Sequence, residues 1–180
     1  MKGFIAGIVF GIVLIGVGFY LYVASGRAPV ATSDPPMPME AFFAKTALRA
    51  RIHKDYPRQV PVQPDENFYM TGAHVFRDNC AVCHGLPNQP ETAAAKGMFP
   101  RPPQLWEPNH MVTDDPPGMT YWKAKNGIRL SGMPGFHASL NDQQLWAVSL
   151  LLANADKLPA AVTQDLSAPS TTGAASPPAK

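Results

Sequence analysis

The only two cysteines of this 180-residue chain lie three residues apart, and a histidine follows directly, in the run Cys80-Ala81-Val82-Cys83-His84. Two cysteines are too few for a disulfide-rich scaffold or a four-cysteine zinc site. A zinc site with mixed ligands would need two more donors, and the chain offers only scattered histidines. A thioredoxin-like dithiol needs an α/β context, and no stretch of this chain shows strand alternation of useful length.

The same five residues form the motif to which haem c is attached. Both vinyl groups lie on one edge of the porphyrin, and a short turn presents both thiols there while it places the histidine beneath the iron. We therefore predict one covalently bound haem c, with Cys80 and Cys83 as the attachment residues and His84 as an iron ligand.

The folded body is predicted over residues 65–158 and is expected to be all-α. Residues 85–115 are expected to be an irregular, proline-bearing loop. Capping and stop residues predict three helices. The first runs from its cap at Asp65 to Asn79, and the second from an N-cap at Asp115 to a stop at Gly127. The third begins at the capping box of Asn141 and Gln144 and ends before Pro159. Helices this few bury a poor core for a body of this length, so the haem is expected to fill the middle.

Residues 3–23 carry no charge over 21 positions, which corresponds to about 31 Å of helix and is enough to cross a bilayer core of about 30 Å. A cleaved signal peptide is the competing interpretation, but its apolar region usually runs about 7–15 residues. We therefore predict that residues 1–25 form a transmembrane anchor. Gly3, Gly7 and Gly11 recur every four residues, a spacing that lets another helix approach closely.

Residues 26–64 are predicted to be a proline-rich linker that contains a short basic helix, from Glu40 to about Lys54. That helix is expected either to lie on anionic headgroups or a partner subunit, or to be simply solvated. Residues 159–180 are predicted to be a disordered tail, because serine, threonine, alanine, glycine and proline dominate them. A net charge of +2 gives no reason to expect nucleic-acid binding.

Residues 65–158 resemble a class I c-type cytochrome domain. Three stretches carry the resemblance, matching in turn the N-terminal helix with its attachment site, the methionine-ligand loop and the C-terminal helix of the family: Gly72–Gly85, Gly127–Phe136 and Leu140–Leu152. The resemblance implies the cytochrome c fold around haem, in which the first and last helices cross. Gly72 and Phe76 are expected to face Trp146 and Leu150 at that crossing.

The residues alone leave the sixth iron ligand open among several methionines and histidines: Met70, Met98, Met111, Met119, Met133, His53, His74, His110 and His137. A lone methionine more often fills a core than binds a metal. Met133 is favoured because it lies between the turn-forming Gly132 and Pro134, and because its loop matches the ligand loop of the family. His110 or His137 as ligand would give a bis-histidine haem of lower potential.

The resemblance also implies two weaker contacts around the haem. The second ring N–H of the proximal histidine is expected to donate to a backbone carbonyl, which the matching Pro-x-Leu places at Pro103. Trp122 is expected either to donate its indole N–H to a haem propionate or to be a packed aromatic residue.

His/Met ligation raises the reduction potential and leaves no open position on the iron. The predicted function is therefore one-electron transfer by a carrier that is not an enzyme, tethered to a bacterial inner membrane with its haem domain in the periplasm. By resemblance, its redox partners are a quinol-oxidising complex, a terminal oxidase or a dehydrogenase of a respiratory chain. A fixed haem c subunit of a membrane oxidoreductase complex is the alternative, and an enzymatic or gas-sensing haem is the third interpretation.

Overall fold

A computed structural model gives the fold and describes residues 2–168 of the chain. These residues form eight α-helices and no strand, which confirms the all-α prediction. The helices are α1 Lys2–Ala24, α2 Glu40–Asp55, α3 Glu66–Asn79, α4 Ala81–His84, α5 Ala93–Lys96, α6 Pro117–Asn126, α7 Asp142–Ala153 and α8 Ala160–Ser167. The chain divides into two compact units, Met1–Phe43 and Ala44–Lys180.

The first unit contains α1, whose residues are apolar and almost all exposed. By length and composition this helix is able to cross a membrane, and none of its most apolar window is buried in protein. A signal sequence close to an N-terminus has the same properties. The helix therefore fits a single-pass anchor and also fits a signal segment.

The second unit is organised by the crossing of α3 and α7. The carboxylate of Asp65 accepts a hydrogen bond from the N–H of Phe68 at 2.8 Å, which caps α3 as predicted. The capping box at the start of α7 is also present, with Asn141 and Gln144 bonding to each other's backbone. Both end signals are local in sequence, and both predictions are confirmed.

Gly72 lies at the crossing, but its partners differ from those predicted. A Cβ at this position would lie 2.8 Å from the carbonyl carbon of Ala147, closer still to its oxygen, and 3.1 Å from Cβ of Leu151. The predicted contact with Trp146 and Leu150 is therefore wrong. The residues that Gly72 meets, Ala147 and Leu151, each lie one position later in α7. Trp146 instead stacks on Tyr121 of α6, with ring centroids 4.4 Å apart.

We expect Gly72→Ala to destabilise the protein by about 1–3 kcal/mol, the usual range for overpacking. Alanine has a higher helix propensity than glycine. A loss of stability in this variant therefore reports the clash between the added Cβ and the backbone of α7. Chemical unfolding in detergent, followed by circular dichroism, measures it. Gly97→Ala is the matched control, because a Cβ there meets nothing closer than 3.6 Å and the φ angle is −89°. Equal stability of the two variants would contradict the close crossing.

The start of α6 also differs from the prediction. Asp115 does not cap this helix; Pro116 occupies the N-cap position and Pro117 the first turn, where the missing N–H is tolerated. The Asp115 carboxylate lies instead 3.8 Å from the ammonium group of Lys123. Gly127 ends the helix with a φ of +69°, as its position in the sequence predicted.

The C-terminal segment shows that the predicted disordered tail starts too early. Residues 160–167 form α8, in which Val162 and Leu166 are fully buried against the cluster around Phe76. The guanidinium group of Arg77 donates to the carbonyls of Asp165 and Ala168, which fixes the end of the helix to α3. The prediction for residues 169–180 lies outside the described residues.

Leu166→Ala is expected to destabilise the protein by about 2–5 kcal/mol, since the side chain is completely buried. The exposed Gln164 of the same helix provides the control, and Gln164→Ala should change the free energy of unfolding by less than about 0.5 kcal/mol. Denaturant midpoints of both variants measure the difference. If Leu166→Ala is as harmless as the control, α8 does not belong to the cooperative fold.

Residues 44–64 also pack on the body, although the sequence predicted a linker through this region. Ile52 of α2 is 5% exposed, and Val62 packs against the cluster of Tyr121 and Trp146. A Cβ at Gly118 of α6 would lie 3.1 Å from the carbonyl carbon of Pro57 and closer to its oxygen. The second half of the predicted linker is therefore part of the compact unit that contains the body.

Candidate haem site

The attachment motif folds as a single helical turn directly after α3. The N–H of Cys80 donates to the carbonyl of Phe76 at 2.8 Å, so Cys80 ends α3 and also precedes α4. Cys83 and His84 donate their N–H groups to the carbonyl of Cys80 at 3.1 and 2.9 Å. Gly85 ends the turn with a φ of +74°, a value that favours glycine. Residues three and four apart on a helical turn share one face, so the turn aligns two thiols and one imidazole.

The two thiols do not form a disulfide with each other. Burial and the neighbouring Cys83 raise the pKa of Cys80 to about 12, so this group stays protonated at neutral pH. Reactive dithiols and zinc ligands need a lowered thiol pKa. Two neighbouring thiols without a disulfide between them fit covalent attachment to a prosthetic group.

The imidazole of His84 is oriented by a backbone contact. Its Nδ1 lies 2.9 Å from the carbonyl oxygen of Pro103, and because a carbonyl only accepts, Nδ1 carries the proton. The lone pair of Nε2 is then free to bind a metal ion. Burial lowers the pKa of His84, with the Pro103 bond acting in the opposite direction, and this favours the neutral, metal-binding form.

Gln104 also holds the attachment turn, and sequence reasoning missed it. Its Nε2 donates to the carbonyl of Cys83 at 3.0 Å and to that of Pro102 at 3.3 Å. The N–H of Leu105 donates to the carbonyl of His84 at 3.1 Å. The loop thus binds the turn through three consecutive residues, 103–105, and the only signal for Gln104 was its place between Pro103 and Leu105.

Met133 lies in a loop that is fixed to the end of α6. The N–H of Ile128 donates to the carbonyl of Met133 at 3.1 Å, and the Met133 N–H donates to the Ser131 hydroxyl at 3.2 Å. The N–H of Phe136 returns to the carbonyl of Ala124 at 2.9 Å. These bonds hold Met133 outside any helix, with its side chain half-buried.

A short series of contacts connects the attachment turn with the Met133 loop. The Thr92 hydroxyl donates to the carbonyl of Val82 at 2.5 Å, and it accepts from the N–H of Ala95 to cap α5. Beyond α5, the side chain of Met98 lies directly against Gly132, where a Cβ would meet its sulfur at 3.5 Å and its methyl group closer. The structure therefore links the two parts of the predicted site through residues 92–98.

The comparison with known protein families agrees with this geometry. Residues 67–150 match the family model described as cytochrome c oxidase, cbb3-type, subunit III. The matched region is a class I c-type cytochrome domain. The match runs from the first turn of α3 into α7 and includes every predicted site residue. No curated protein sequence matches the chain.

A cytochrome c domain implies haem c, with iron, and suggests electron transfer. The donor set of the site fits that group. It offers two free thiols, an imidazole with an available Nε2 and a thioether on a fixed loop, all within the matched region. Cys80, Cys83 and His84 would hold the haem from one side, and Met133 would complete the coordination of the iron.

The other histidines of the cytochrome domain are placed less favourably as ligands. His74 and His110 are exposed, with side-chain accessibilities of 61% and 49%, and each has a carboxylate neighbour, Asp165 and Glu107 respectively. His137 is also exposed, and its Nδ1 lies 3.3 Å from the carbonyl of Lys125. Their side chains face solvent at the surface, which is poor support for an axial ligand.

Trp122 is the predicted site residue with the least structural detail. It lies on α6, half-buried, and its carbonyl accepts a hydrogen bond from the side chain of Asn126 at 2.8 Å. The adjacent Tyr121 points into the body, where it stacks on Trp146 and donates to the Asp142 carboxylate at 2.7 Å. The contact of Trp122 with a haem propionate stays a prediction.

Proposed function

We propose that this chain is a membrane-tethered monohaem c-type cytochrome that transfers one electron at a time on the periplasmic face of a bacterial inner membrane. Its axial ligands are His84 and Met133, and its haem is bound covalently through Cys80 and Cys83. The observation that carries the proposal is the hydrogen bond between His84 Nδ1 and the Pro103 carbonyl, because it directs the opposite nitrogen to the haem face.

The chain's own residues explain why electron transfer is the function that this site supports best. When bound, the haem iron supplies a reversible one-electron couple. Pro103 and Gln104 hold His84 and the attachment turn in one orientation, so little reorganisation accompanies a change of charge at the iron. Met133 would supply the second axial ligand of the iron, which would leave no place for a substrate on the metal.

The tether supports a location close to membrane-bound partners. Helix α1 holds the rest of the chain within reach of one bilayer surface, which raises its effective concentration at redox proteins in that membrane. Lys2, on the N-terminal flank of α1, supports a cytoplasmic N-terminus, with the haem domain on the periplasmic side. A quinol-oxidising complex, a terminal oxidase or a dehydrogenase of a respiratory chain are the partner classes.

A second candidate function is a fixed haem c subunit of a membrane oxidoreductase complex. Two observations favour it: the matching family model is described as an oxidase subunit, and Gly3, Gly7 and Gly11 of α1 lie on an open face where an added Cβ would meet nothing within 4 Å. Gentle solubilisation of native membranes followed by size measurement distinguishes the two. A carrier elutes alone, whereas a subunit elutes with the other chains of its complex.

The proposed electron transfer is tested with the full chain, purified from a host that attaches haem c. We expect a single one-electron wave in a spectroscopic redox titration, and a haem that exchanges electrons with native membranes while it fails to bind carbon monoxide. Rapid binding of carbon monoxide or cyanide by the untreated protein would contradict this function, and it would support an enzymatic or sensing haem instead.

A further inference from the structure

Helix α2 has one side with buried residues and one side whose side chains are exposed. Ile52 is buried, and Leu48, one turn earlier, is partly buried. At 100° per residue, the surface between the directions of Phe42 and Phe43 points about 130° away from Ile52. Three further exposed residues lie along the same surface: Thr46, Ala50 and His53. We call this strip, formed by Phe42, Phe43, Thr46, Ala50 and His53, the outer strip of α2.

The outer strip begins with two large apolar side chains in water. Phe42 and Phe43 are 60% and 62% exposed, and their rings pack edge to face with centroids 5.4 Å apart. Met39, immediately before the helix, is also 60% exposed. Exposed aromatic pairs on a helix surface are unfavourable in water, and they are the side chains that enter the boundary between headgroups and acyl chains.

Cations border the outer strip. By the same angular rule, Arg49 lies at one edge and Lys54 at the other, with Lys45 beyond Arg49. No carboxylate of the described residues lies within ion-pair distance of Lys45, Arg49 or Lys54.

The two acids of α2 do not form ion pairs with these cations. Glu40 accepts from the N–H of Met37 at 2.8 Å, and Asp55 pairs with Arg51 at 2.5 Å. Arg58, just beyond the helix, lies over the ring of Tyr56. The outer strip therefore begins with two exposed aromatic rings and has cations without ion-pair partners along both edges.

We propose that the outer strip of α2 lies on the anionic phospholipid headgroups of the membrane that α1 crosses, with Phe42 and Phe43 inserted among them and with Arg49 and Lys54 against the phosphates. Only residues 25–39 separate α1 from α2, and fifteen residues span at most about 50 Å when fully extended. The strip therefore stays within about 50 Å of that surface. The opposite charges attract, and the two phenylalanine side chains leave water. The proposal rests on retention of the anchor.

The proposal is tested with the full, haem-loaded chain in vesicles of phosphatidylcholine, with and without phosphatidylglycerol. An environment-sensitive fluorophore is attached at Ala50→Cys on the outer strip or, as the matched control, at Ala161→Cys, which is an exposed alanine of α8. A quencher carried by the lipid reports which label is at the bilayer. Flotation of the vesicles reports separately whether α1 holds the chain in the membrane.

We expect a blue shift and strong quenching of the label at position 50 only in vesicles that contain phosphatidylglycerol, with no change at position 161. Each basic residue near an anionic surface contributes roughly a fivefold preference, so Arg49→Gln with Lys54→Gln should lower the surface-bound ratio about 25-fold. The control pair Lys96→Gln and Lys157→Gln removes the same charge from other exposed positions and should leave the ratio unchanged.

Two results would overturn the proposal. In the first, the label at position 50 stays in water in both kinds of vesicle although the chain floats with them. In the second, the blue shift and the lipid quenching at position 50 are equally strong without phosphatidylglycerol, which shows that anionic headgroups are not what holds the strip. A chain that fails to float shows instead that the anchor is lost, and the premise of the proposal falls with it. None of these results depends on the electron-transfer function.

Discussion

Replacing both Cys80 and Cys83 with alanine is expected to remove haem staining from denaturing gels and to leave little folded protein. The buried side chains form two separate clusters, one around Phe76 and Leu151 and the other around Tyr121 and Trp146. A porphyrin held at the attachment turn supplies the apolar surface that these clusters lack. Its loss should remove a stabilisation comparable to the whole 5–15 kcal/mol that a domain usually has.

The measurement compares haem stain and helical circular dichroism in three proteins. The unmodified chain should keep its stain after boiling in detergent, because thioether bonds survive denaturation. Val82→Ala changes an exposed residue between the two cysteines and should leave both signals intact. A double cysteine variant that stains like the unmodified chain, or an unmodified chain that loses its stain on denaturation alone, would exclude covalent attachment.

The parts of the fold that the sequence predicted correctly are those with local causes. Asp65 caps α3, and Asn141 with Gln144 opens α7, because a capping side chain reaches only two or three residues along its own chain. Gly127 ends α6 for an equally local reason, a positive φ. Asp115 failed as a cap because the two prolines that follow start the helix one residue later.

The remaining errors concern packing between distant segments. Composition places residues 159–180 among disordered tails, yet Val162 and Leu166 are four residues apart on one face of α8 and become fully buried against α3. Averaging the composition over the whole segment hides the spacing of these two apolar residues, so composition did not predict their burial. Similarly, Val62 of the predicted linker packs against the cluster of Tyr121 and Trp146, which lie far along the chain.

The residues of the candidate site also divide into those predicted from local sequence and those that depend on distant contacts. Cys80, Cys83 and His84 were evident from five consecutive residues. The acceptor at Pro103 came from the family resemblance, and the structure places its oxygen 2.9 Å from His84 Nδ1. Gln104 was missed because its bond to the Cys83 carbonyl joins residues 21 positions apart, and a glutamine in a loop has many other uses.

Met133→Ala is the second substitution with a large expected effect. Loss of the thioether should abolish the weak red absorption band of sulfur-ligated ferric haem and open the sixth position to carbon monoxide or cyanide. The reduction potential should fall by on the order of 100 mV or more, because the soft sulfur that favours ferrous iron is gone and axial ligands set potentials over about 0.8 V. Absorption spectra and a redox titration of the purified chain measure all three effects.

Met98→Leu is the matched control, because Met98 touches the same loop at Gly132 yet is assigned a packing role. It should keep the band and the potential, as should Met111→Leu and Met119→Leu. Met133→His should restore a closed, low-spin site while the potential stays low. If Met133→Ala keeps the band and Met98→Leu loses it, the ligand lies across the contact at Gly132 and the loop assignment is wrong. If only His110 or His137 matters, the haem is bis-histidine, and a donor of lower potential must supply its electron.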